Sequence, residues 1–274
     1  MIEAIFEYAF FRNAVIASLF AGIICGIVGV IIVEKKLVMM SGGIAHTAYG
    51  GVGLGYLLGF EPLIGAGLFS VGAAFGIGYL RKKGGAQTDV IISLFWALGM
   101  AFGIAFVSFM PGYPPDLNSY LFGNILTVEK ADLILMIPLA LIILAFVIIF
   151  ANDIRAYMFD EGFSYIIGLN TKFIEYTLLV IISLSVVILL RVTGIILVIA
   201  LLTAPAACAA MISGNLKNRM ILSSLFCIAF CLVGLFISYE LGIPSGATII
   251  FVSVLTYAAM FCVRRLLDTK VKKK

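Results

Sequence analysis

His46 is the one histidine in 274 residues, and it stands near the middle of Leu37–Gly59, an apolar stretch without a formally charged side chain. About 20 residues cross a bilayer, so the imidazole is placed at membrane depth. An ionisable group there is costly and is by default a functional site, and imidazole is the commonest protein ligand for metals. The chemistry open to it is coordination of a metal ion. A hydrogen bond to a carbonyl of the next helix would use the same residue structurally.

Small residues crowd the stretch: Ser41, Gly42, Gly43, Ala45, Ala48, Gly50, Gly51, Gly53, Gly55 and Gly59. Gly51, Gly55 and Gly59 recur at four-residue spacing, which gives one helix face on which a neighbouring backbone can approach closely. These three glycines are therefore read as packing positions.

The elements that must hold His46 follow from composition. The chain is 63% hydrophobic and 12% charged, against about 25% charged in soluble proteins. A bilayer admits helices or closed barrels, and long unbroken apolar runs lack the alternation of a barrel. The prediction is an all-α polytopic transmembrane helical bundle of about nine spans, a single domain over residues 1–274. The spans are 13–33, 37–59, 63–80, 90–110, 132–151, 173–190, 194–212, 220–239 and 247–263. Of the 18 Lys and Arg residues, Arg12, Lys130 and Arg191 fall on one side of this arrangement. The rest cluster at Lys35–Lys36, Arg81–Lys83, Arg155, Lys172, Lys217–Arg219 and the C-terminal tail. Basic loops face the cytoplasm, so the C-terminus is expected inside and the N-terminus outside.

The acidic opening does not look like a signal peptide. The apolar face formed by Ile2, Ile5, Phe6, Ala9 and Phe10 predicts an interfacial helix over residues 1–12. After the fourth span come a proline-rich loop, Pro111–Pro115, and a short apolar piece, Tyr120–Val128, read as re-entrant. The longest cytoplasmic loop is 152–172. In it Asp160 and Glu161 precede a short helix over Phe163–Ile167 that ends at Gly168, an order that suits the helix dipole and a glycine cap. It is read as a docking segment, with an ordinary solvated connector as the alternative. Pro205 predicts a kink in the seventh span. Pro244, Ser245 and Gly246 predict a tight re-entry, with Ser245 as N-cap.

Absences narrow the function. The five cysteines lie in apolar runs and show neither a disulfide framework nor zinc-finger spacing. No G-x-x-x-x-G-K-[ST] sequence is present, so no P-loop for a nucleotide phosphate is predicted. The acids Glu34, Glu61, Asp89, Asp132, Glu175 and Glu240 sit at span ends, unlike the mid-membrane carboxylates of a secondary carrier. The net charge of +4 is spread over loops and is no nucleic-acid signal. A transporter powered by another chain is the simplest reading.

Six segments, in order, carry a resemblance: FFRNAVIASLFAGIICGIVGVIIVEKKLVMM, SGGIAHTAYGGVGLGYLLG, LFGNIL, FDEGFSYIIGLN, RVTGIILVIALLTAPAACAAMI and IPSGATIIFVSVL. Across almost the whole chain it resembles the permease subunit of ATP-binding-cassette importers for zinc, manganese and iron. The resemblance implies a dimeric pore in the plasma membrane of a prokaryote, two cytoplasmic ATPase subunits and an extracytoplasmic metal-binding protein. No permanently bound cofactor is implied, and ATP hydrolysis belongs to the partner. It carries ATPase coupling onto Asp160, Glu161 and Gly168, and the pore histidine onto His46. Many relatives place an aspartate four residues before that histidine, where this chain has Gly42. That departure removes a hard oxygen ligand, and moderately soft nitrogen ligands suit zinc or iron at least as well as manganese, with the lean toward zinc. A permease for iron–siderophore or cobalamin chelates is the nearer alternative, and a secondary metal carrier the more distant one.

Overall fold

The computed structural model describes residues 8–84, 88–111, 120 and 123–271. Among them every regular element is helical. In order these are α1 (Ala9–Glu34), α2 (Val38–Leu58), α3 (Pro62–Gly84), α4 (Thr88–Ser108), a 3₁₀ turn (Ile125–Thr127) and α5 (Lys130–Ile149). Then come α6 (Ala151–Phe159), α7 (Glu161–Ile166), α8 (Thr171–Ile212), α9 (Leu216–Leu241) and α10 (Ser245–Val271). Among the described residues seven helices, α1, α3, α4, α5, α8, α9 and α10, are long and apolar enough to cross a membrane. The 21 residues of α2 match them in length. Its glycines, His46 and tyrosines keep it less apolar.

The 42 residues of α8 would extend about 63 Å if straight, twice the ~30 Å thickness of a hydrocarbon core. The helix breaks at Gly194, with φ 76° and ψ 163°. That region belongs essentially to glycine. The backbone of Gly123 presses on this break, because a Cβ on it would fall 2.1 Å from the Thr193 carbonyl carbon. Replacing Gly194 with alanine is expected to cost about 1–3 kcal/mol. A lowered melting temperature of the detergent-solubilised protein would register it, and an unchanged one would show the break to be dispensable.

Three expectations change here. Residues 1–7 lie outside the described residues, but 9–12 are the first turn of α1, so no separate helix ends at residue 12. Phe11 is fully buried there, edge-on to Tyr239 at 5.4 Å. The turn between the sixth and seventh spans falls at Gly194, and Arg191 stays helical. Pro205 is carried, buried, within α8, whose one departure from helical dihedrals is at Gly194. Of the proline-rich loop and re-entrant piece, residues 112–119, 121 and 122 lie outside the described residues, and Ile125 in the 3₁₀ turn is fully buried.

Packing forms two groups. Helix α2 lies against α3 and α4, while α1 lies against α8 and α9, and α8 reaches across to α2 and α3. At one end of the bundle Arg191 joins three elements. Its Nε is 2.6 Å from Asp132 Oδ1 at the start of α5, and its Nη1 donates to Glu61 Oε1 at 2.8 Å before α3. At the other end of α2, Arg219 pairs with Glu34. Ion pairs at the ends leave the middle of the bundle apolar, as burial of charge requires.

Candidate functional site

His46 is half-buried in the interior of α2, and α4 supplies its surroundings. The Trp96 ring stacks on the imidazole, with centroids 3.9 Å apart and planes inclined by 15°. One turn later on α4, the Met100 Sδ lies 3.4 Å from His46 Nδ1. The residues of α4 that hold the ring are spaced i, i+4 and therefore share one helix face.

Glycines seat α4 against α2. A Cβ on Gly99 would fall 2.4 Å from Thr47 Cα, and one on Gly53 would fall 2.6 Å from the Gly103 carbonyl oxygen. Thr47 Oγ1 reinforces the contact by donating to the carbonyls of Gly43 (2.7 Å) and Phe95 (3.1 Å). Gly42, one turn before His46, also faces the tryptophan, because a Cβ there would lie 3.3 Å from Trp96 Cζ3. The chain's single tryptophan thus fills the space over the position where the resemblance leads one to expect a carboxylate. Among the described residues no group of three His, Cys, Asp or Glu side chains could hold a metal.

The other predicted packing residues divide by helix. Gly51 and Gly55 face α3: a Cβ on Gly51 would fall 2.0 Å from the Gly65 carbonyl oxygen, and one on Gly55 2.6 Å from Pro62 Cα. Gly59 meets nothing within 4 Å. It ends α2 in the left-handed conformation, φ 72°, with its N–H bonded to the Tyr56 carbonyl at 3.3 Å.

Ser245 is the first residue of α10, and its hydroxyl donates to Asn124 Oδ1 at 3.0 Å. The expected helix cap is thereby a bridge to the 3₁₀ turn, for Asn124 Oδ1 also accepts from Leu126 N. Pro244 is exposed before it, and Gly246 is buried behind it.

The segment 152–172 is two short helices, α6 and α7, rather than a loop. Asp160 separates them with extended dihedrals, and its Oδ1 accepts from Phe163 N at 2.9 Å. Gly168 closes the segment at φ 87°. Phe159 is 91% and Ile166 81% exposed, apolar side chains left uncovered by the described residues. Behind them, Glu161 Oε2 lies 3.5 Å from Lys35 Nζ. Lys35 Nζ also donates to the Tyr157 carbonyl at 3.0 Å and sits over the Tyr157 ring. Lys35 belongs to the turn between α1 and α2, so this cluster connects α6 and α7 to the helix that carries His46.

Trp96 and Met100 were not singled out in the sequence. The one available signal was that the only tryptophan falls in the fourth span.

Known proteins match this architecture from end to end. The chain is 40% identical over 265 residues to an uncharacterized membrane protein of Synechocystis, covering 97% of this chain and 94% of that protein. It is 33% identical over 260 residues to the manganese transport system membrane protein MntC of Listeria monocytogenes, covering 95% and 92%. The solved structure described as PsaBC from Streptococcus pneumoniae in complex with Fab superposes with a TM-score of 0.88 at 30% identity, covering 98% of each chain. Residues 7–264 match the ABC 3 transport family, and with a bilayer-length helix bundle built around one gripped imidazole, the chain belongs to that family.

Proposed function

We propose that the chain is the membrane permease of an ATP-driven importer for divalent transition-metal ions, with zinc favoured over manganese and iron. The observation that carries this is His46, an imidazole held by α4 in the interior of a helix of crossing length. A transit site must replace part of an ion's hydration yet release it, and one imidazole with few further donors fits that need. Counting α2, and the two halves of α8 separately, gives nine spans. With the bias of Lys and Arg, an odd count supports an N-terminus outside and a C-terminus in the cytoplasm of a prokaryotic plasma membrane. Two copies form the pore. The exposed apolar face of α6 and α7 is the seat for a cytoplasmic ATP-binding-cassette subunit, and an extracytoplasmic metal-binding protein delivers the ion.

Extraction from the native host in mild detergent tests this reading. Two copies of this chain with two P-loop ATPase chains support it. A chain that comes out alone and moves metal in vesicles without ATP overturns it.

The docking face carries a prediction of its own. Asp160→Ala removes the side-chain cap of α7, worth about 1 kcal/mol, from a helix of 6 residues too short to persist alone. Transport per ATP hydrolysed is expected to fall several-fold in the assembled importer. Asp160→Asn, which still caps, is expected to retain it.

A further inference from the structure

We propose that Met100 is the second protein donor to the ion passing His46, so that the transit site is a nitrogen–sulfur pair selecting borderline and soft divalent cations over Mn²⁺. The inference rests on the permease reading and adds the residue that sets specificity.

The spacing fits shared coordination. Zinc binds imidazole nitrogen at about 2.0–2.1 Å and thiolate sulfur at about 2.3 Å, and a neutral thioether sits somewhat farther out, so at a tetrahedral angle the two donors stand on the order of 3.5 Å apart or slightly more. His46 Nδ1 and Met100 Sδ stand 3.4 Å apart. A pair at that separation needs little rearrangement to receive an ion between them. Without the ion, the thioether offers Nδ1 only a weak partner; with the imidazole proton on Nε2 the Nδ1 lone pair is free to coordinate, so incoming metal displaces a contact of small value.

The geometry is also fixed in advance. The Trp96 ring, parallel to the imidazole within 15°, holds its plane. Trp96 and Met100 belong to the same helix, one turn apart. That helix is docked to α2 at the residues beside His46: Gly99 against Thr47, and Thr47 Oγ1 onto the Phe95 carbonyl. The stack and the sulfur therefore move as one body relative to the imidazole.

The donor set decides the preference. Mn²⁺ favours carboxylate, carbonyl and water, whereas thioether and imidazole favour softer ions. One helical turn before His46 stands Gly42, with Trp96 over it. A hard oxygen donor is missing from the place best able to supply one, and a sulfur stands at the ring nitrogen instead.

The test uses the assembled importer in proteoliposomes, wild type against Met100→Leu, a substitution close in volume. Uptake of Zn²⁺, Mn²⁺ and the soft probe Cd²⁺ is followed separately. The expected result is a roughly tenfold rise in KM for Cd²⁺ and Zn²⁺ and a clearly smaller change for Mn²⁺, hence a several-fold loss of Cd²⁺/Mn²⁺ preference. The melting temperature of the solubilised complex gives a readout free of turnover: Cd²⁺ is expected to raise it in the wild type and to raise it less in Met100→Leu. Equal losses for all three ions would reduce Met100 to a packing residue, and no change in any would remove it from the site. Either result leaves the importer reading standing. A wild-type complex that moves none of the three ions would remove both readings.

Discussion

His46→Ala is expected to lower metal uptake by at least tenfold while the chain reaches the membrane in normal amounts. Even changes to outer partners of metal ligands typically cost ten- to a hundredfold, and His46 is the donor itself in the proposed site. The substitution leaves the frame of α2 intact. The contacts that seat α2 run through Gly51 and Gly55 toward α3, and through Thr47, Gly50 and Gly53 toward α4. What is lost is the ring stacked on Trp96 and its nitrogen facing Met100. Uptake is therefore to be normalised to membrane levels by immunoblot. Undiminished uptake at equal levels would make His46 a packing residue.

Gly51→Ala is expected to destabilise the bundle by on the order of 3 kcal/mol, near the upper end for overpacking. The added Cβ would lie 2.0 Å from the Gly65 carbonyl oxygen, 2.4 Å from its carbon and 2.7 Å from Ala66 N. All three are backbone atoms of α3, so no side chain can swing aside. The relation is reciprocal, since a Cβ on Gly65 would fall 2.1 Å from the Gly51 carbonyl oxygen. At about 2–4 °C per kcal/mol for chains of roughly this size, melting is expected to drop by about 6–12 °C. The control is Gly67→Ala on α3, where a new Cβ meets nothing within 4 Å. Alanine is the better helix former, so that variant is expected to melt no lower than the wild type. If both variants behave alike, close approach of the two backbones does not hold α2 and α3 together. Forcing α2 from α3 would also press His46 toward α4, so a fall in uptake should accompany the fall in melting temperature.

Hydropathy made the helices legible because a membrane span must be apolar along its whole length. The expected span 37–59 and the observed α2, Val38–Leu58, agree within a residue at each end. Length and apolarity say nothing, however, about which face meets which neighbour. A soluble helix reveals its inner face by contrast with a polar outer one, and in α4 that contrast is absent: Leu94 and Leu98 are exposed at 58% and 54% while Met100 is partly buried. Trp96 and Met100 therefore read as two more apolar residues until α4 is laid against α2. The break in α8 was hidden for a different reason. Pro205 carries the stronger sequence signal for a bend, but the dihedral that no other residue takes cheaply belongs to Gly194, and the backbone of Gly123 is pressed against it. The short helix of residues 152–172 was legible in type, acid first and glycine last, while the division of the segment into α6 and α7 depended on the extended dihedrals at Asp160.

During synthesis, residues 171–212 reach the insertion machinery as one nearly continuous greasy segment, twice the length that a single crossing needs. Between Tyr176 and Ile212 its sole formal charge is Arg191, three residues before the break at Gly194. No hydrophilic tether separates the two halves, so insertion as a single hairpin with the guanidinium near its tip is the expected route. The acids that receive it, Glu61 and Asp132, lie earlier in the chain and have left the ribosome first. The order of translation therefore makes both counter-charges before the arginine that pairs with them, so the guanidinium need not wait unneutralised.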